Sequence, residues 1–144
     1  MDTKSINKAL QKEKCFVGTF PVDKIPIPRK LPYAVVINTD ASDKPGQHWV
    51  AIFIAQDGLG EYFDSFGFSP LDYRITNFLN NNAPKGWLYN ANTFQHILSQ
   101  SCGQYCILFI RLRARNFSFC TFMYLFTNSK TVNDFIVNYS LSLI

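Results

Sequence analysis

The stretch QSCGQYCILFI, residues 100–110, sets two cysteines four residues apart at the front of an apolar run. A free cysteine in such a run is ordinarily a small buried hydrophobe. It becomes a nucleophile where three conditions meet: a lowered thiol pKa, a base, and donors for a developing oxyanion. Cys102 falls where a helix should begin, and unpaired N–H groups and the helix dipole favour a thiolate there. Gly103 follows, so a substrate backbone can approach closely. Cys106, one turn deeper on the same stripe, reads as packing.

The base must come from one of two histidines. His48 stands near Gly46 and just before Trp49, at the start of an apolar run, where it can be held rigidly. His96 lies in a connection beside Gln95. An acid must then orient the imidazole, and Asp64 ends the strand that returns toward His48. If Asp57-Gly58 is a two-residue turn, Gln56 pairs with Leu59 and Asp64 falls opposite Ala51, three residues from His48 and about 10 Å along the strand. An odd separation turns the two side chains to opposite faces. A bulge at Gly58 or Gly60, or a His48 outside the regular strand, would restore a common side, and the pattern leaves both open. Gln95 reads by itself as an ordinary loop glutamine. Trp49 is by default a core aromatic. A zinc site from Cys102, Cys106 and the histidines is disfavoured, because Cys-x₃-Cys with a remote His is not a zinc spacing.

These residues need elements to hold them. Residues 1–14 suggest a short polar helix or a loose tail. PVDKIPIPRKLP (21–32) carries four prolines and reads as an extended surface loop. YAVVIN (33–38) and WVAIFIAQ (49–56) are apolar enough for buried strands, and EYFD (61–64) is the return strand. SPLDYRITNFLNNN (69–82) has Leu71, Ile75, Phe78 and Leu79 at helical spacing, with Ser69 as cap and Pro70 at the first position. GWLYNANTFQ (86–95) gives a short strand and a connection. A helix from Cys102 to Arg115 is apolar nearly all round, hence central and buried. FSFCTFMYLF and TVNDFIVNY suggest two more helices. The first carries Phe119, Phe122, Met123 and Phe126 in phase. The second carries Val132, Phe135, Ile136 and Tyr139 in phase, behind a capping box of Thr131 and Asp134. The outline is α+β: a small mixed or antiparallel sheet packed on a buried helix that starts at Cys102.

Composition agrees with one domain over residues 1–144: 47% hydrophobic and 17% charged residues, with 14 Phe, suit a sizeable core. The net charge of +4 permits an anionic partner without requiring one. Arg111, Arg113 and Arg115 read as a solvated helix end before a nucleic-acid site. The polar N-terminus is no secretory signal, so Cys15, Cys102, Cys106 and Cys120 are expected as free thiols in a reducing compartment. FSFCTFMYLF is too short to span a bilayer.

In order and spacing, His48-Trp49, Asp64-Ser65-Phe66-Gly67-Phe68, Gln95 and Ser101-Cys102-Gly103 resemble the adenovirus-type endopeptidases and the ubiquitin-like-protein (SUMO) proteases. Within that group the likeness is strongest to the small protease domains of virus-like DNA transposons of the Polinton/Maverick kind, over about Phe16 to Phe109. Asp64-Ser65 follows the SUMO-protease pattern and Phe66-Gly67-Phe68-Ser69 the adenovirus pattern. The resemblance implies a papain-like cysteine protease fold with His48 as base, Asp64 as orienting acid, Cys102 as nucleophile, and Gln95 with the Cys102 N–H as oxyanion hole. It implies that Trp49 helps form a narrow channel for glycine-like residues, with Gly103 the other expected substrate-binding position. The first expectation is therefore a monomeric endopeptidase that cuts viral or transposon-encoded structural precursors near glycine, in the nucleus or cytoplasm of a host cell or in a virion. The alternative is a protease that processes or removes SUMO- or ubiquitin-like modifiers; a third is an inactive binding module. No cofactor is expected. Stimulation by DNA rests only on the positive charge. A disulfide-tethered viral peptide lacks its cysteine, since none lies between Cys15 and Cys102.

Overall fold

The computed structural model describes residues 1–144. YAVVIN and WVAIFI lack polar alternation because the sheet they build is covered on both faces. Five strands, β1 (Phe16–Pro21), β2 (Tyr33–Asn38), β3 (Trp49–Ile54), β4 (Gly60–Phe63) and β5 (Trp87–Tyr89), lie side by side in chain order. The outer pairs β1·β2 and β4·β5 are parallel, and the inner pairs are antiparallel. The fold class is the expected α+β with a mixed sheet.

Successive side chains along a strand point to opposite faces, and here each set meets its own core. Ala34, Val36, Ala51, Phe53 and Phe63 join the core shared with helix α1 (Thr3–Leu10) and the helix that begins at Cys102. Val35, Ile37, Val50, Ile52 and Tyr62 face the other way, onto Ile75, Phe78 and Leu79 of α2 (Tyr73–Asn82). The central helix α3 (Cys102–Ala114) is buried without interruption from Tyr105 to Ile110. Phe63 stacks on Phe109 with ring centroids 5.1 Å apart, and Phe122 meets both edge-on. Burying such a ring contributes about 1.5–3 kcal/mol, so α3 is anchored by its middle while its first turn lies at the edge of the core.

The hairpin between β3 and β4 resolves the parity problem posed by the sequence. Ile54 pairs with Gly60 and Ala51 with Phe63, a register one residue away from that of a two-residue turn. The Ala55 N–H donates to the Leu59 carbonyl and the Gly58 N–H to the Ala55 carbonyl, which makes Gln56-Asp57-Gly58 a three-residue loop. Its last residue, Gly58, has φ +95°, the left-handed geometry that this loop type requires. Continued one step, the register sets Asp64 opposite Val50, two residues from His48. An even offset returns both side chains to one face.

Other elements differ from the sequence pattern for identifiable reasons. Of the two readings of residues 1–14 the helix holds, over Thr3–Leu10, and it is docked: Asp2 caps α1 by accepting from the Ser5 N–H at 2.8 Å, and Ile6 and Leu10 are fully buried. α2 starts at Tyr73, not Ser69. Asp72 accepts from the Arg74 N–H and pairs with the Arg74 guanidinium, a double role Ser69 cannot match, and Leu71 is left exposed. α4 (Phe119–Met123) is a little over one turn. α5 (Lys130–Leu143) is capped by Ser129, while Asp134 accepts from the Tyr105 hydroxyl at 2.7 Å instead of closing a capping box. Its expected stripe of Val132, Phe135 and Tyr139 faces solvent. Asn133 and Val137 face inward because Asn133 is fully bonded there: it accepts from the Thr127 N–H and donates to the carbonyls of Phe94 and Thr127.

Of the three arginines at the end of α3, Arg113 is not solvated and the other two are tied down within the chain. Arg113 makes a bidentate pair with Glu61 at 2.7 and 2.9 Å and lies 4.4 Å over the Phe53 ring. Arg111 donates to the Ala9 carbonyl, and Arg115 pairs with Glu13. Burial raises the Glu61 carboxyl, and the guanidinium opposes that shift. With side chains only 12% and 5% exposed, this pair is internal. Arg113→Ala should destabilise the fold by about 3 kcal/mol or more, because Glu61 is left buried and unpaired. Urea unfolding measures this, and an unchanged midpoint would show that the pair contributes nothing. No helix is long and apolar enough to cross a membrane.

Candidate active site

His48 sits one residue before β3, with its carbonyl still held by the Thr39 N–H at 3.0 Å. Asp64 sits one residue past β4. The imidazole Nε2 and Asp64 Oδ1 are 2.8 Å apart. A carboxylate only accepts, so Nε2 carries the proton and Nδ1 is left for Cys102. Asp64 is itself clamped. Its Oδ1 accepts from the Phe66 N–H at 2.8 Å. Asn90 accepts from the Asp64 N–H and donates to the Asp64 carbonyl. Gly67 makes that nesting possible: its φ is +77°, and a Cβ there would lie 2.6 Å from the Asn92 carbonyl oxygen. The Phe66 ring lies 5.1 Å from the imidazole and limits its swing.

Cys102 is the first residue of α3, where no side chain caps the helix. Burial raises its thiol pKa. The hydrogen bond and charge of His48 and the N–H groups of Trp49 and Gly103 oppose that and win, so the thiol is lowered from its ordinary value. Burial likewise opposes the charged form of His48, but its bonds to Asp64 and Cys102 raise it to about 9. Both shifts favour a thiolate–imidazolium pair, and the two groups titrate together. Cys106 is the contrast: wholly buried, its thiol is pushed well above the ordinary range and stays neutral.

Gln95 is buried. Its Oε1 accepts from the Ser65 hydroxyl at 2.6 Å, and its Nε2 donates to the Ser99 carbonyl at 2.9 Å. Trp49 is half-buried, and its indole N–H donates to the Met1 carbonyl at 3.0 Å. The direction expected to be open above Gly103 is filled: a Cβ there would stand 3.1 Å from Met1 Sδ and 3.3 Å from Trp49 Cδ1. His96 uses Nδ1 to accept from the Leu98 N–H within its own turn. No three His, Cys, Asp or Glu side chains gather as a metal site.

Sequence reasoning passed over Asn90, Met1 and the side chain of Ser65. Asn90 and Met1 act at long range and leave no local pattern. Ser65 stood inside the motif, next to Asp64, and that adjacency was the available signal.

A thiol lowered by a carboxylate-oriented imidazole at a helix tip, on a mixed sheet packed around that helix, is the arrangement of the cysteine proteases. Comparison with known proteins agrees. Over 101 residues the chain is 34–35% identical to the S273R protein of African swine fever virus, named a cysteine protease or, in another isolate, a SUMO-1 cysteine protease. The match takes in 63% of this chain and 37% of the relative, so the chain spans well under half the length of the curated relatives it matches. The crystal structure of that viral protease superposes with a TM-score of 0.69 at 21% identity, over 94% of this chain and 65% of the other. A Chlamydia trachomatis effector, Cdu1, solved bound to ubiquitin, gives 0.52 at 13% identity, over 97% and 77%. No protein-family profile matches. The fold is that of the viral cysteine protease.

Proposed function

We propose that the chain is a cysteine peptidase acting on the glycine-rich C-terminal tails of ubiquitin-like modifiers. The observation that carries the peptidase reading is His48, held at 2.8 Å by Asp64 and facing a thiol of lowered pKa. The Cys102 thiolate attacks the carbonyl carbon. The Cys102 N–H and the free N–H of Gln95 receive the oxyanion, and one such donor contributes about 3 kcal/mol. The His48 imidazolium passes its proton to the leaving amine, and the acyl-enzyme forms. Neutral His48 then takes a proton from water, whose oxygen attacks the thioester, and the thiolate leaves. Trp49, pinned by the Met1 carbonyl and lying against Gly103, narrows the approach and favours residues without side chains.

The sequence alone put structural precursors first. The names of the relatives shift the preference to the alternative, since one is a SUMO-1 protease and another binds ubiquitin. A role for DNA finds little support, because Arg111, Arg113 and Arg115 each bond to partners within the chain. Ubiquitin and SUMO carrying a C-terminal coumarin amide, compared with a glycine-rich precursor-type peptide, test this choice. Faster turnover of a modifier probe is expected. Cleavage of the peptide alone would restore the precursor reading, and no Cys102-dependent cleavage of any probe would reject the peptidase.

A further inference from the structure

We infer that Ser65 is a positioning residue for the oxyanion side of the site, fixing the orientation of the Gln95 carboxamide. The inference rests on the peptidase reading, in which Gln95 stabilises the oxyanion. Ser65 is fully buried and directly follows Asp64. It grips Gln95 twice. The Ser65 hydroxyl donates to Gln95 Oε1 at 2.6 Å, and the Ser65 carbonyl accepts from the backbone N–H groups of Phe94 and Gln95 at 2.9 and 3.0 Å.

The orientation of the amide follows from its partners. Nε2 faces the Ser99 carbonyl at 2.9 Å. A flipped amide would set two carbonyl oxygens against each other, so the oxygen must point at Ser65. Nε2 carries two hydrogens. Ser99 takes one, and the other remains to donate to an oxyanion. Loss of the Ser65 hydroxyl leaves Oε1 buried without a donor. The carboxamide then turns away or the 95–99 loop shifts, and the free N–H loses its aim. One residue thus joins the turn that carries the acid to the loop that carries the oxyanion donor, so both sides of the reaction centre share one buried support.

Ser65→Thr and Ser65→Val test the inference, because they match in volume and differ by the hydroxyl. The Val variant should lose about 10- to 100-fold in kcat with KM within about twofold, since the donor acts in the transition state. The Thr variant should keep most of the activity. In a Gln95→Ala background, Val at position 65 should cost nothing further. The pH profile of iodoacetamide labelling at Cys102 should not move, since the Ser65 hydroxyl bonds to Gln95 and not to Cys102 or His48. Equal kcat for Thr and Val, additive losses, or a shifted labelling profile would overturn the inference. A wild type that labels at Cys102 but cleaves no probe would reject the peptidase reading instead. The grip is then still read by NMR. The Gln95 side-chain amide pair should be dispersed in wild type and the Thr variant and collapse toward random-coil shifts in the Val variant; identical spectra would refute it.

Discussion

Cys102→Ala is expected to lower kcat/KM by about 10⁴-fold or more while leaving the fold intact. No other thiol can substitute. Cys15 and Cys106 are buried, with thiols raised by burial, and Cys120, though exposed, is not paired with a histidine. The loss is that of a nucleophile whose partners have no other chemistry to perform. Stability should hold, because α3 is secured by Tyr105 to Ile110 and alanine suits a first helical turn. Two measurements check this: turnover of the probe the wild type cleaves best, and rapid iodoacetamide labelling below the ordinary thiol range, which should be present in wild type and absent in the variant. Full activity in Cys102→Ala would reject the assignment outright.

How much of this site was legible in the sequence depends on how local each determinant is. The strands over 33–38 and 49–54 and the buried helix from Cys102 were visible because apolar runs and helix length are local properties. The face relation of His48 and Asp64 was not, because a single residue of hairpin register decides it. The glycine that sets the register, Gly58, was visible, but whether the loop had two or three residues was not. α5 was misoriented because Asn133 is buried by hydrogen bonds to Thr127 and Phe94, and hydropathy counts an asparagine as outward. Arg113 was misread for the converse reason. Its partner Glu61 lies 52 residues away on β4, so the charge appeared unpaired along the chain. The site residues themselves could be proposed because only two histidines could serve as base, and because the order of His48, Asp64, Gln95 and Cys102 resembles that of a known protease group. What holds those residues, Asn90 and Ser65 above all, is polar, buried and long-range, and has no periodic signature.

His48→Ala should also cost about 10⁴-fold in kcat/KM, and it should do so with a different pH signature from Cys102→Ala. In wild type the His48 imidazolium stabilises the Cys102 thiolate, so the thiol ionises below its ordinary range and the imidazolium persists up to about pH 9. Activity needs both charged partners. Rising pH first creates the pair, giving an acid limb set by Cys102. Near pH 9 His48 loses its proton, the leaving amine has no acid, and activity falls. Labelling by iodoacetamide needs only the thiolate, so it should rise on the acid limb and stay high through pH 9. Removing His48 leaves the burial that raises the thiol and deletes the largest of the effects that lower it. Only the N–H groups of Trp49 and Gly103 then remain to favour the thiolate. The labelling midpoint must therefore move up, and labelling at neutral pH must slow because less thiolate is present. A midpoint unchanged in His48→Ala would mean that the helix terminus alone ionises Cys102 and that the ion pair is not what activates it. A midpoint that rises with activity retained would mean that another group moves the proton. A rise together with the loss of turnover is the outcome required by a histidine that both charges the sulfur and supplies the leaving group's proton.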